Sequence, residues 1–275
     1  MEETYLPDGR RAQLWTGGAT AGPTVLVCHG TPDTRWVART GADAALAAGV
    51  QLLAVNRPGY GTSTAAPSTM TSVADDAAAV LDALRLDRVA VVGMSVGGAY
   101  AAAVAARHPD RVTALGVVAA PTETRTAMGP AEAMVEQARP EFAAWAATVH
   151  AADPDDDALA ARFLDSLPTA DAHLLRAALS PTGVATSVRE ALAQHDGYLR
   201  DAALLFGDWG VRFEDITAPT HLWYGADDDR NPPETGHWWA ARIPGAELTV
   251  TPTTHLATLL ANWPDILTTL RRYPA

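Results

Sequence analysis

Val89-Ala-Val-Val-Gly93-Met-Ser95-Val-Gly97-Gly98-Ala-Tyr100 is the stretch that decides the fold. An apolar, β-branched run delivers a serine with a glycine two residues to either side, and an alanine-rich stretch of helical character follows at once. In the strand–turn–helix setting, G-x-S-x-G puts the serine on a turn so sharp that its own backbone is strained and its hydroxyl is lifted out of the sheet. Side chains at 93 and 97 would collide across that turn, and glycine at both removes the collision. The bare pattern could equally be a glycine-rich turn with a bystander serine. The strand before it and the helix after it give it meaning.

Outward from this point, apolar runs at 11–15, 24–28, 51–56, 88–92, 112–118, 220–224 and 247–251 read as strands. Helical patterns occupy 36–48, 72–84, 96–107, 234–241 and 256–271. The alternation predicts an α/β protein, a mostly parallel central sheet with helices on both faces. Between 121 and 218 it stops. That stretch shows helical periodicity around 142–149, 159–167 and 172–179, interrupted by the acidic run 153–157, and has no convincing strand. A separate all-helical domain is one description of it. The sheet pattern resumes at Thr220, however, which favours a helical insertion at 121–218 within a core of 1–120 and 219–275.

Composition narrows the chemistry. The 275 residues are 48% hydrophobic, ample for a large core. A single cysteine, Cys28, rules out an intrachain disulfide and suits a reducing compartment. The start lacks the basic and apolar regions of a signal peptide, and no apolar run reaches the length of a membrane span, so a cytoplasmic location is expected. The formal charge of −12 argues against nucleic acid and anionic membranes as partners and leaves a small molecule as the expected one. There is no lysine: all basic residues are arginine. That excludes a Walker phosphate loop and Schiff-base or PLP chemistry. No Cys/His cluster has zinc-ligand spacing, and neither metal nor cofactor is implied.

A serine hydroxyl needs a base, and the base needs an orienting acid. Of the eight histidines, His29 and His255 alone directly follow a strand end at the expected carboxyl edge of the sheet. His255, placed before the last helix, is the candidate base. The acid lies in Gly225-Ala-Asp227-Asp228-Asp229. Only one of three adjacent aspartates can face the histidine, and the residues themselves do not choose. A tetrahedral oxyanion is best met by fixed backbone N–H groups. One is expected from Val96, at the start of the helix after the serine. The second is expected from Thr31 in His29-Gly30-Thr31-Pro32, because Pro32 has no N–H, with Gly30 allowing close approach. Trp36, Phe142, Trp145 and Trp209 are candidates for an apolar substrate pocket. Ser63, Asp208 and Cys28 read as structural, Glu123, just past a strand, as the less favoured alternative for the acid, and His29 as a residue that orders its loop.

Taken in order, His29-Gly-Thr-Pro32, Arg57-Pro-Gly-Tyr-Gly61-Thr-Ser63, Gly93-Met-Ser95-Val-Gly97, Gly225-Ala-Asp-Asp228 and His255 resemble the landmarks of the α/β-hydrolases over almost the whole chain. The resemblance implies a Ser95–Asp228–His255 triad, since the family's Gly-x-x-Asp spacing selects Asp228, and it implies a cap where the insertion falls. The family commonly has a glycine before its histidine; Thr254 stands there instead. The activity so implied is hydrolysis of a small or medium, hydrophobic carboxylic ester through an acyl-enzyme. Amide, lactone and carbon–carbon bond hydrolysis, a lyase or cyclase, and a triad-bearing ligand receptor are the alternatives within the fold. Relatives acting on haloalkanes or epoxides carry an aspartate where this chain has Ser95.

Overall fold

Every residue of β5 (Val89–Met94) is buried, and its side chains divide between the two faces of the sheet in strict alternation. Val89 and Val91 enter one core layer, and Ala90, Val92 and Met94 enter the other. That two-residue period is the pleat, and burial on both faces is what a central parallel strand requires. The computed structural model describes residues 2–125 and 131–273. Around β5 it places β1 (Glu3–Tyr5), β2 (Arg11–Gly18), β3 (Thr24–Cys28), β4 (Gln51–Val55), β6 (Val112–Val118), β7 (Thr220–Gly225) and β8 (Glu247–Thr251). The sheet order is β1-β2-β4-β3-β5-β6-β7-β8. From β4 to β8 every pairing is parallel, while β1 and β2 run antiparallel at one edge.

Helices α2 (Met70–Ala83), α3 (Val96–Arg107) and α9 (Pro233–Ala240) pack on one face. Helices α1 (Ala42–Ala48) and α10 (His255–Leu270) cover the other. Between β6 and β7 come α4 (Ala131–Val149), α5 (Asp156–Asp165), α6 (Thr169–Ala178), α7 (Pro181–Leu192) and α8 (Asp196–Leu205), with small apolar clusters of their own. Residues 126–130 of the expected insertion lie outside the described residues. No helix among the described residues is long and apolar enough to cross a membrane.

The differences from the sequence reading sit at the margins. β1 is missing from it because Glu3-Thr-Tyr5 is largely exposed and has no apolar alternation. The stretch 36–48 is a 3-10 segment, Arg35–Gly41, followed by α1 rather than one helix.

Candidate active site

Ser95 joins β5 to α3 with φ 55° and ψ −130°, a left-handed conformation that a residue with a side chain adopts only under constraint. Its N–H donates to Val118 O (2.8 Å) and its carbonyl accepts from Gly98 N (2.8 Å), which fixes the turn from both sides. A Cβ on Gly93 would lie 2.1 Å from Gly97 O, across the turn as expected. A Cβ on Gly97 would instead lie 2.1 Å from Cys28 O and 2.5 Å from His29 O. The second glycine therefore makes room for the neighbouring β3 loop, not for the turn itself.

β7 and β8 are adjacent, so the loops leaving their carboxyl ends meet. Asp228 follows β7, and His255 opens α10 just after β8. His255 Nδ1 lies 2.7 Å from Asp228 Oδ2. The other carboxylate oxygen, Oδ1, accepts the N–H groups of Arg230 (2.9 Å) and Asn231 (3.1 Å). Burial alone would push this carboxyl up. The hydrogen bond and charge of His255, with the two N–H groups, outweigh burial and hold it below the usual carboxylate range. An ionised carboxylate only accepts, so Nδ1 of His255 carries a proton, and in the neutral imidazole Nε2 is then the acceptor. Asp227 and Asp229 are exposed.

Ser95, His255, Thr31, Trp36 and Trp145 all line one cavity of about 480 Å³. The rest of its wall is largely apolar, supplied by Met94 of the core and by the helices between β6 and β7, including Phe163, Leu175, Val188 and Tyr198. Phe142 and Trp209 do not line it. Phe142 stands one layer behind, stacked on Tyr198 at 4.0 Å. Trp209 lies on the core side of the returning chain, packed with Phe213, Trp238 and Trp239. Both are corrections to the sequence reading: these aromatic residues fill the interior and do not reach the cavity.

The loop after β3 is tightly held. His29 is fully buried, and burial with the nearby Arg57 charge holds its imidazole well below the ordinary value. Its Nε2 accepts the Arg57 N–H (3.3 Å), so Nδ1 carries the proton and donates to Gly30 O (2.9 Å). A Cβ on Gly30 would meet nothing nearer than 3.4 Å, so close approach is not what this glycine supplies. Asp33, also on the cavity wall, has its carboxyl pushed up to about 7 by burial. The Thr34 N–H and the Arg57 charge pull it down, and Glu190 adds to the rise. Burial pushes the Cys28 thiol up to about 12 against the pull of the Arg57 charge, which disfavours the thiolate.

The sequence reading missed three acids from the inserted helices that reach into the core loops. Asp171 of α6 accepts from Thr254 Oγ1 (2.6 Å) and Ala257 N (2.8 Å), capping the helix that His255 begins. Glu190 of α7 accepts from Arg35, Trp36 Nε1, Asn56 and Gln13. Asp201 of α8 accepts from Arg57, Tyr60, Tyr100 and Thr31. Among the described residues, no His/Cys/Asp/Glu cluster is arranged to hold a metal ion.

Residues 23–261 match the model of the alpha/beta hydrolase fold family. The chain is an alpha/beta hydrolase. Among relatives of this hydrolase, a pimeloyl-[acyl-carrier protein] methyl ester esterase of Chromobacterium violaceum is 31% identical over 261 residues, covering 92% of this chain and 94% of the relative. An epoxide hydrolase of Caballeronia sordidicola is 35% identical over 123 residues, and the aligned part spans 43% of this chain and 37% of that protein. An alpha/beta hydrolase fold protein from Nakamurella multipartita superposes with a TM-score of 0.69 at 25% identity, covering 98% of both chains.

Proposed function

We propose that this alpha/beta hydrolase is a serine esterase acting on small to medium, hydrophobic carboxylic esters through an acyl-enzyme. The observation that carries the reading is the His255–Asp228 hydrogen bond of 2.7 Å at the wall of a cavity that Ser95 also lines. Ser95 Oγ attacks the ester carbonyl as His255 Nε2 takes its proton. Asp228 fixes the imidazole tautomer and stabilises the imidazolium that forms. The N–H groups of Val96 and Thr31 receive the oxyanion. His255 then returns the proton to the departing alcohol. Water repeats the sequence to release the acid and regenerate the Ser95 hydroxyl. No step calls for a metal or cofactor.

The helices of 121–218 serve as a cap whose apolar wall takes the hydrophobic part of the substrate. The esterase relative, aligned over nearly its whole length, supports ester chemistry. The epoxide hydrolase likeness covers less than half of this chain, and a serine at 95 lacks the carboxylate that such relatives use as nucleophile.

A fluorophosphonate probe tests the assignment. Stoichiometric labelling at Ser95, lost in Ser95→Ala, is expected, together with turnover of chromogenic acyl esters of graded chain length. A folded protein that neither labels nor turns over any of them is a lyase, a cyclase or a receptor, and the proposal fails.

A further inference from the structure

We propose that Asp201 and Arg57 are positioning residues that set and polarise the Gly30–Thr31 peptide, the unit that offers Thr31 N–H to the oxyanion. The inference rests on the esterase reading and goes beyond its triad.

Arg57 follows β4, while Asp201 comes from α8, 144 residues later in the chain. Both are buried, at 6% and 2% exposure. They form a two-point pair, Nη2 to Oδ2 at 2.5 Å and Nε to Oδ1 at 3.2 Å. Tyr60 Oη (2.7 Å) and Tyr100 Oη (2.6 Å) donate to the same carboxylate. The guanidinium lies over the Tyr100 and Tyr60 rings, 4.5 and 5.3 Å from their centroids. A buried ion pair is a poor source of net stability, because desolvating both charges offsets their attraction. Its geometry is the more informative feature, because the further hydrogen bonds of the Arg57 guanidinium go to residues 29–31. Arg57 Nη1 donates to His29 O (2.5 Å), and Nη2 also donates to Gly30 O (2.9 Å) and Thr31 Oγ1 (3.2 Å). Asp201 completes the grip by accepting from Thr31 Oγ1 at 2.5 Å.

Two consequences follow for one peptide unit. Gly30 O and Thr31 N–H belong to the same plane, and in a trans peptide they point in opposite directions. Holding the carbonyl against Arg57 and His29 Nδ1 turns the N–H away from them. Thr31 itself lies on the cavity wall with Ser95. The same carbonyl accepts from a cation and from a neutral imidazole, and a doubly engaged carbonyl strengthens its own N–H as a donor. The Arg57 charge thereby acts on the oxyanion through one peptide bond, while Asp201 keeps that charge neutralised and aimed.

The test compares Thr31→Val, Thr31→Ser and Asp201→Asn. It reads kcat and KM on the best chromogenic ester, inhibition by a boronic acid that forms a tetrahedral adduct on Ser95, and thermal unfolding. Thr31→Val keeps the backbone N–H and loses only the side-chain anchor. Its kcat is expected to fall by about 10- to 100-fold, up to the cost of a misplacement of about 1 Å and below the roughly 10²- to 10³-fold of losing an oxyanion donor outright. KM should stay within about twofold, since ground-state binding does not use that donor. Boronate affinity should fall by the same factor as kcat, and Thr31→Ser should restore both. Asp201→Asn should follow Thr31→Val; if it does not fold, the threonine pair decides. A folded Thr31→Val with kcat within about twofold of wild type overturns the inference. So does a kcat loss that leaves boronate affinity intact. A wild type that neither labels nor turns over esters overturns the esterase reading and the inference with it, an outcome distinct from either of these.

Discussion

Asp228→Asn is the perturbation whose effect the geometry defines most sharply. Oδ1 of Asp228 accepts two backbone N–H groups, from Arg230 and Asn231. An asparagine here keeps its carbonyl oxygen on those donors, because turning the amide over would set N–H against N–H twice. Its NH2 then occupies the place of Oδ2, 2.7 Å from His255 Nδ1. A donor at that place forces Nδ1 to accept, which moves the imidazole proton to Nε2 and removes the base facing the cavity. The same change of tautomer in a serine protease triad lowers kcat by about 10⁴, or about 5.5 kcal/mol of transition-state stabilisation. A loss of that size in kcat, with native circular dichroism, is expected for Asp228→Asn in a stopped-time assay on a chromogenic acyl ester. Asp227→Asn and Asp229→Asn, both exposed, should stay near wild type. A fall of less than tenfold in Asp228→Asn would refute the tautomer argument, as would an equal fall in either neighbour.

Gly97→Ala places a methyl 2.1 Å from Cys28 O and 2.5 Å from His29 O, both backbone atoms, and should cost at least about 1–3 kcal/mol in urea unfolding; an unchanged midpoint contradicts the packing account. Asp33 releases its proton near 3.8 when unfolded but near 7 when folded, so its own contribution to stability should fall as pH rises between these values and level off above them. Asp33→Asn keeps an acceptor for the Thr34 N–H and lacks this penalty, so its stability advantage should widen from pH 4 to pH 7; a constant advantage rules out the buried-acid account. Val188→Phe on α7 fills part of the cavity and should shift the preferred acyl chain to shorter esters in the graded panel, and an unmoved optimum would place the acyl chain elsewhere.

How much of this was legible in the chain depends on the reach of each signal. β5, Ser95 and α3 are set by a local pattern, an apolar run and the two glycines flanking the serine, and could be read directly, whereas the contact that requires Gly97, with the β3 loop, could not. Asp228 could not be chosen from three adjacent acids, since the hydrogen bonds that distinguish it depend on how the β7 and β8 loops meet; only the family spacing pointed to it. Phe142 on α4 and Trp209 in the chain after α8 read as pocket lining because an aromatic residue in an apolar stretch does not tell a cavity wall from an interior contact. Asp201 gave one faint sign: it falls on the buried face of α8 with Gly197 and Leu204, where a lone acid requires partners. Those partners, Thr31, Arg57, Tyr60 and Tyr100, lie 101 to 170 residues away, beyond any spacing rule.

The carboxylates of Asp171, Glu190 and Asp201 rivet three successive helices to the loops that hold His255, Trp36 and Thr31. Swinging α6, α7 and α8 aside as a door would strand buried donors on the core side at every rivet, each at a cost of about 1–3 kcal/mol. With those helices tied down, the proposed substrate would enter by an opening fixed in the fold, and Trp145 on α4, which lines the cavity and is half exposed, is placed to frame it. On the proposed reading, changes of substrate range would come from recarving that frame, while breaking a rivet would loosen the loops that carry Thr31 and His255 together with α6, α7 and α8.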